Sequence, residues 1–362
     1  MTRVGVMTFL HNDNYGSMLQ AWALQQTLME LGFDAEHINY APSLTEKVRN
    51  LLTSGNSPRL ILEGMRKKSA TGKMHGGFAQ FRQEHMRLSQ VCPDAAALRR
   101  QAESYDVLLC GSDQIWSPVW LNPAYFLNFS SKPRVAYAPS FGVAEITSRR
   151  KERRIAGLVR PFHAVSVREP HCQDAVQHMT GKHCPVMPDP VFLQPREKWL
   201  QMMDHDVPEK PYILCYFIGE NPLYWQRVRD AADREGLEVR VIPRTEEARN
   251  AGYLLEEDVP VRRWLGLIAH AALVVTDSFH GAAFSSILNV RCSIIRRYRE
   301  DDPQSKNSRI EQLLHMLQVE DLEHGAWEQI NHAIACLAEE ARCWLDASIT
   351  SAASSAAPAR GK

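Results

Sequence analysis

The chain of 362 residues lacks several features that would assign it to a functional class at once. Lysine plus arginine and aspartate plus glutamate number 42 each, so the zero net charge argues against a general nucleic-acid binder. Its eight cysteines include no Cys-x-x-Cys pair. This indicates that the cysteines are small buried hydrophobic residues of a protein in a reducing compartment, and not a disulfide framework. No apolar run reaches membrane-spanning length, and the N-terminus has too short an apolar segment for a signal peptide. We therefore expect a cytoplasmic protein.

The sequence also lacks the usual motifs for binding a resident cofactor or a metal. There is no P-loop, and no Gly-x-Gly-x-x-Gly follows a predicted strand. The histidines His11, His163, His270 and His280 come from separate predicted turns without partners at ligand spacing. We expect no metal and no bound cofactor.

The sequence does contain two successive series of alternating predicted strands and helices. A chain of this length exceeds one ordinary core, which favours two domains. The first series opens with RVGVMTF and an amphipathic helix ending at Gly32, and the second opens with YILCYFIG after the linker DHDVPEKP. The prediction is two doubly wound, Rossmann-like α/β domains facing a cleft, over residues 1–204 and 205–345. Residues 346–362 are small and polar, which predicts a disordered tail.

Polar residues follow several of the predicted strands. Because the carboxyl ends of parallel strands meet at one edge of a sheet, these residues predict a shared binding site. Carboxylate and amide groups can bind sugar hydroxyls, and Tyr15 or Trp116 could stack on a sugar face. The alternative is ordinary turn capping and packing. The acceptor-side candidates are Asn14, Tyr15, Gly16, Asp113 and Gln114.

The segment VVTDSFHGAAFSSI, residues 274–287, places a histidine between an apolar strand and a small-residue helix. The pattern predicts a turn over residues 276–281, where helix N–H groups would attract an anion and Gly281 would let a ligand approach. His280 would then lie beside that anion. The alternative is that Asp277 or Ser278 caps the helix and His280 is a partly buried structural residue.

Taken together, the motifs resemble the polysaccharide pyruvyl transferase family, over nearly all of Arg3 to about Leu314. The motifs that carry the resemblance, in the family's order, are NDNYGSMLQAWAL, LLCGSDQIWSP, AYAPSFG, SVREP, MPDPVFL and TDSFHGAAFSSI. The family is similar in fold to B-type glycosyltransferases. The resemblance implies that phosphoenolpyruvate, as co-substrate, donates its enolpyruvyl group to sugar hydroxyls, forming a ketal.

The resemblance also assigns donor-side residues. His280 matches the family's donor-site histidine, and Arg168 of SVRE matches an arginine that contacts the donor; these two are the catalytic candidates. Arg168 could instead be structural and paired with Glu169. Many members have Arg-Leu-His where this chain has Ser278-Phe279-His280, so one expected cation is missing. Lys306 or Arg309 could replace that cation, or they could be ordinary charges at a surface helix start. The donor-binding candidates are Ser278, Phe279, Gly281, Lys306 and Arg309.

Two further functions remain open on the sequence alone. A nucleotide-sugar-dependent glycosyltransferase would use the same architecture, because a helix start also suits a diphosphate. A non-catalytic binding protein in a polysaccharide assembly complex would explain the lost arginine. For the leading hypothesis we expect a saccharide acceptor in cell-surface polysaccharide synthesis. Such an acceptor could be lipid-linked, and peripheral membrane contact would be compatible with it.

Overall fold

The computed structural model describes residues 1–53, 77–221, 223–295 and 308–356. These residues form two compact units, each built on one parallel sheet. The first unit contains the described residues up to Leu193, apart from a short stretch before Gln80, and the chain from Leu337 on. The second unit contains Gln194–Cys336. The prediction of two doubly wound α/β domains is confirmed.

The sheet of the first unit has the order β2-β1-β3-β4-β5, with every pair parallel. In this doubly wound order the switch point lies between β1 and β3, where Val4 pairs with Val107. Ligands of such sheets bind beyond the carboxyl ends of the strands at that point. The strands are β1 (Arg3–Met7), β2 (Asp34–His37), β3 (Val107–Cys110), β4 (Arg134–Ala136) and β5 (Ala164–Val165).

Both faces of this sheet are covered, as the continuous apolar strands predict. Along β3, Val107 and Leu109 join one core cluster, and Leu108 and Cys110 join the cluster on the other face, because successive side chains of a strand alternate. The covering helices are α1 (Tyr15–Glu30), α2 (Leu44–Thr53), α3 (Phe78–His85), α4 (Ala95–Ala102), α5 (Arg149–Val159) and α6 (Pro170–Thr180). Two 3₁₀ turns, Pro123–Phe126 and Pro190–Leu193, complete the layer.

The second sheet has the order β10-β9-β6-β7-β8, again entirely parallel. This is the other common doubly wound order, and its switch point lies between β6 and β9, where Ile213 pairs with Leu273. The strands are β6 (Tyr212–Tyr216), β7 (Glu238–Val241), β8 (Leu254–Leu255), β9 (Leu273–Thr276) and β10 (Cys292–Ile294).

Helices precede and alternate with these strands along the second unit. They are α7 (Arg196–Met202), α8 (Leu223–Glu235), α9 (Glu246–Arg249), α10 (Val261–Ala269), α11 (Phe279–Leu288) and α12 (Ser308–Met316). The helix α11 is buried along its length, and its Phe284 ring meets Trp199 and Trp264 edge-on at 4.9 and 5.4 Å. Trp199 belongs to α7 and Trp264 to α10, so these aromatic contacts pack α11 against both helices.

The last helix, α13 (Trp327–Ala356), corrects two predictions. The predicted second domain, 205–345, is displaced along the chain, because the unit starts earlier, at Gln194, and the chain joins the first unit again from Leu337. The predicted disorder of residues 346–362 is wrong up to Ala356, where the helix ends. Small residues let a helix approach its neighbour closely, and Ile349 and Ala352 are fully buried in the core of the first unit. The last six residues lie outside the described residues.

Candidate functional site

The predicted strand-to-helix turn joins β9 to α11, and it lies at the switch point of the second sheet. It is shorter than the predicted turn, because α11 already begins at Phe279 and Ser278 is its N-cap. The Ser278 side chain accepts a hydrogen bond from the Gly281 N–H at 3.3 Å. Thr276 Oγ1 accepts from the Ser278 N–H at 3.0 Å. The capping interpretation is therefore correct for Ser278.

His280 occupies the second position of α11. The residue is only 9% exposed, and its ring meets the Phe279 ring edge-on at 5.0 Å. The histidine thus lies in the first helical turn, where the N-terminal backbone gives a positive partial charge. This position fits both an anion-site histidine and a buried structural one.

Gly281 has a packing explanation that the sequence did not reveal. A Cβ atom added there would lie 2.7 Å from Thr276 Oγ1 and 3.1 Å from its methyl carbon. Glycine is required because the helix packs this closely on the end of its own strand. The predicted role of Gly281 in admitting a ligand stays a prediction.

Asp277, which the sequence offered only as a cap candidate, has a structural role that the sequence did not indicate. Its buried carboxylate accepts from the backbone N–H groups of Ile218 and Gly219, at 2.7 and 2.9 Å. It also accepts from the Tyr224 hydroxyl at 2.8 Å. Asp277 therefore ties the loop after β6 to the turn after β9, which are the two segments that form the switch point. A partner 59 residues away leaves no local signal in the sequence.

Lys306 and Arg309 are the two candidates to replace the missing arginine. Lys306 lies outside the described residues. Arg309 is partly buried and lies in the first turn of α12, a helix that packs against α11. The structure thus places Arg309 on the neighbouring helix of His280.

The first unit brings most of its predicted residues together at its switch point. Asn14 caps α1, and its Oδ1 accepts from the Ser17 N–H at 3.0 Å. The Ser17 hydroxyl donates to Asp113 Oδ2 at 2.5 Å, and the Gln114 N–H donates to Asp113 Oδ1 at 2.8 Å. Asn14, Ser17, Asp113 and Gln114 are therefore one hydrogen-bonded group. Asp113 and Gln114 are partly exposed, so they can meet a ligand.

Beneath this group lies a buried polar network that the sequence did not predict. The Gln20 amide nitrogen donates to Thr8 Oγ1, and its oxygen accepts from the Ser112 N–H, both at 3.0 Å. The Ser112 hydroxyl donates to the Ala138 carbonyl at 2.6 Å, and Ser166 Oγ accepts from the Ala138 N–H at 3.0 Å. The segments after β1, β3, β4 and β5 are thereby linked, so the floor of this edge is fixed by many bonds.

The prediction that Tyr15 or Trp116 stacks on a sugar face is wrong. Tyr15 and Trp116 are both completely buried. The Trp116 ring stacks on Phe126 with centroids 5.1 Å apart and an interplanar angle of 7°. These side chains build the core beside the edge and leave no face for a sugar. Gly16 is also buried, inside the first turn of α1.

Arg168 follows β5 and is buried in a carboxylate cluster. Its Nη1 lies 2.6 Å from Asp189 Oδ2, and its Nε lies 3.3 Å from Glu169 Oε1. Burial lowers the pKa of Arg168, but the carboxylates of Glu169, Asp189 and Asp113 outweigh it, so that pKa is raised overall. The structure supports the structural alternative for Arg168, with Asp189 as a partner that the sequence did not identify.

One group among the described residues has three metal-ligand side chains close together, which the sequence reasoning missed. It consists of Glu169, His171 and Cys172 at the start of α6. The Cys172 thiol donates to Glu169 Oε2 at 3.2 Å, and burial raises the pKa of that thiol. Since Glu169 also pairs with Arg168, hydrogen bonds and an ion pair account for the group without a metal.

Comparisons with known proteins agree with this architecture. The sequence profile described as polysaccharide pyruvyl transferase matches residues 14–297, which include both switch-point edges. No curated protein sequence is significantly similar to the chain. None of the described helices combines the length and the apolarity needed to cross a bilayer.

Solved structures resemble the chain in fold. A putative UDP-N-acetylglucosamine 2-epimerase from Listeria monocytogenes has a TM-score of 0.51 and 10% identity, covering 91% of this chain and 94% of its own. MnaA of S. aureus, solved with UDP, has a TM-score of 0.52 and 10% identity, covering 96% of this chain and 91% of its own. At this identity the likeness shows the fold alone, which is the fold of B-type glycosyltransferases and related epimerases.

Proposed function

Because the chain belongs to the polysaccharide pyruvyl transferase family, we propose that it transfers the pyruvyl group of phosphoenolpyruvate to a saccharide as a ketal. The observation that carries the proposal is the family match over residues 14–297, which spans the hydrogen-bonded group at Asp113 and the turn at His280. The same match favours an enzyme over a non-catalytic scaffold. Phosphoenolpyruvate is a cytoplasmic metabolite, so we propose that the reaction takes place in the cytoplasm.

The proposed reaction needs proton transfer but no resident cofactor. Two sugar hydroxyl oxygens bond to C2 of the donor, and the C2–O bond to phosphate breaks. One hydroxyl proton ends on the donor's methylene carbon, which becomes the ketal methyl group, and the other leaves with phosphate. A histidine can transfer protons near neutral pH, which is typically worth about 10²–10⁴-fold in rate. His280 is the proposed residue for this step.

We assign the donor's anionic groups to the start of α11. The positive end of a helix favours phosphate or carboxylate, and Phe279, His280 and Gly281 form the first turn of α11 after the cap Ser278. Arg309 on the packed helix α12 is the proposed additional cation, together with Lys306. For Arg168, only the resemblance to the family supports a donor contact, whereas its buried ion pairs with Asp189 and Glu169 support a structural role.

We assign the acceptor to the edge of the first sheet. Asp113 is partly exposed and is oriented by two donors, Ser17 and Gln114, so its carboxylate can accept a sugar hydroxyl. Asn14 and Gln114 add amide groups beside it. An oriented carboxylate at this position is the proposed acceptor of the hydroxyl proton.

The test measures phosphate release from phosphoenolpyruvate with a panel of nitrophenyl and lipid-linked sugars. His280→Gln keeps a hydrogen-bonding amide but loses acid chemistry, so kcat should fall about 10²–10⁴-fold with a smaller change in donor KM. His270→Gln, at an exposed histidine that bonds the Gly266 carbonyl, is the control. Intact turnover in His280→Gln with a lower Tm would establish the structural role instead.

Arg168→Lys separates the two roles of that residue. If Arg168 contacts the donor, loss of its bidentate geometry should raise donor KM about tenfold, or more, with little change in Tm. If it serves only the ion cluster with Asp189 and Glu169, Tm should fall and donor KM should stay within about twofold of the wild-type value. Steady-state kinetics and thermal unfolding of the same preparation decide between them.

A nucleotide-sugar-dependent glycosyltransferase is the second candidate. It is favoured by the UDP in the S. aureus relative of the same fold and by Ser278 in place of an arginine. Ligands that bind the native state raise Tm, so a thermal-shift comparison discriminates. Stabilisation by UDP, GDP or CMP without stabilisation by phosphoenolpyruvate would favour this candidate.

A further inference from the structure

An exposed apolar surface lies on the first unit, outside the candidate site. Its side chains come from α2 and from the loop that follows Asp113 and Gln114. Their exposed fractions are 81% for Leu44, 55% for Val48, 48% for Val119 and 44% for Trp120. Large apolar groups in this number are unusual on a surface without a partner.

The two segments are neighbours because both contact Tyr40. Asn50 of α2 donates to the Tyr40 hydroxyl at 3.0 Å. Asn122, two residues after Trp120, hydrogen-bonds the same side chain. Tyr40 is itself buried, so it joins α2 to the loop from below. The two segments that carry the four exposed residues are therefore neighbours at Tyr40.

A strongly basic helix borders this region. The first residues of α5 read RRKERR, with five cations and one acid. The Lys151 ammonium donates to the Pro118 carbonyl at 2.8 Å, directly before Val119 and Trp120. The acid, Glu152, is half-buried and faces His178, at 3.6 Å. The exposed cations beside the loop are Arg149, Arg150 and Arg153.

We propose that this surface docks the protein onto an anionic lipid bilayer. Exposed tryptophan and aliphatic side chains beside a basic helix are the combination that inserts at a lipid interface while cations pair with anionic headgroups. A second copy is a poorer occupant, because a two-fold contact through this region would bring two copies of the RRKERR segment together. The docking surface consists of Leu44, Val48, Val119, Trp120, Arg149, Arg150 and Arg153.

The position of the docking surface has a consequence for the acceptor. Trp120 belongs to the same loop as Asp113 and Gln114, so we expect a membrane bound there to lie on the side of the proposed acceptor edge. This step rests on the proposed function, and it specifies an acceptor saccharide carried on a membrane lipid. The binding of the bilayer itself requires no turnover.

The test is flotation of the full-length protein with phosphatidylcholine vesicles that contain either no phosphatidylglycerol or about one third of it. We expect binding only to the anionic vesicles, weakening as salt is raised. Arg149→Gln, Arg150→Gln and Arg153→Gln together should weaken binding about 100-fold, at about fivefold for each cation lost. Trp120→Ser should weaken it about tenfold.

A matched control uses α8 of the second unit, where Arg227 and Arg229 are exposed and Leu223 is 57% exposed. The triple variant Leu223→Ser, Arg227→Gln and Arg229→Gln should bind vesicles like the wild type. Equal loss in this control, or wild-type binding by the Arg149/Arg150/Arg153 variant, would overturn the docking surface. So would a dimer, seen by light scattering, that Trp120→Ser dissociates without changing vesicle binding.

Kinetics keep this proposal separate from the proposed function. In the Arg149/Arg150/Arg153 variant, turnover of a soluble nitrophenyl sugar should be unchanged, and turnover of a lipid-linked acceptor in anionic vesicles should fall at least tenfold. If no acceptor is turned over by the wild type, the proposed function fails while vesicle binding still decides the docking surface. Equal turnover of the vesicle-borne acceptor by both proteins would contradict the link between them.

Discussion

The two sheets stabilise their switch points in different ways. In the first unit, hydrogen bonds spread over Thr8, Ser17, Gln20, Asp113 and Ser166 link the segments after four strands. In the second unit, one buried carboxylate, Asp277, takes three hydrogen bonds and connects the segments after two strands. The hydrogen bonds at the first switch point are thus distributed over many side chains, whereas those at the second are concentrated on one carboxylate. Loss of one side chain should therefore matter much more in the second unit.

The largest expected effect is that of Asp277→Ala. The substitution leaves the N–H groups of Ile218 and Gly219 and the Tyr224 hydroxyl without their acceptor in a buried place. We expect a loss of about 3–5 kcal/mol in the free energy of unfolding of the second unit. Urea unfolding with hydrogen exchange of the two N–H groups measures it.

Tyr224→Phe is the graded control for that prediction. It removes only one of the three donors, so it should cost about 1 kcal/mol. If Asp277→Ala lowers the free energy of unfolding no more than Tyr224→Phe does, the Asp277 carboxylate is not the main stabilising group at this switch point.

The next effect is a pH dependence confined to the first unit. His37, the last residue of β2, is fully buried, and its Nε2 lies 2.9 Å from the Ala21 carbonyl oxygen. Burial lowers the pKa of His37 from 6.5 to about 4. The unfolded chain therefore binds this proton more readily, so stability should fall as the pH drops from about 6.5 to 4, by up to about 3 kcal/mol.

His37→Gln should remove that slope, because an amide can bond the Ala21 carbonyl without titrating. Thermal unfolding between pH 7 and pH 4.5, followed by hydrogen exchange in β2 and α1, provides the measurement. His324→Gln is the control, since the His324 side chain is 86% exposed. An unchanged pH slope in His37→Gln would show that other groups govern the acid sensitivity.

The sequence predicted the elements of both edges better than their connections. The runs VLLC and LVVT are apolar and bounded by polar residues, so β3 and β9 and the turns after them were evident. The partners were not, because Ser17 and Asp113 are 96 residues apart and Asp277 and Ile218 are 59 apart. Burial of Tyr15 and Trp116 likewise depends on neighbours that only the folded chain supplies. The end of α13 was missed because small residues become stabilising only against a surface that they fit.

The smallest effect should be that of Ser17→Ala in the distributed network. The substitution removes the hydroxyl that donates to Asp113 Oδ2 at 2.5 Å, but Gln114 N–H still orients the other oxygen at 2.8 Å. We expect a loss of about 1 kcal/mol in stability, a Tm lower by about 2 °C, and a several-fold fall in kcat through the looser carboxylate. Ser354→Ala, which removes an exposed hydroxyl bonded within α13, should change neither quantity. A stability loss from Ser17→Ala as large as that from Asp277→Ala would contradict the contrast between the two edges, because the remaining bonds would then not have compensated.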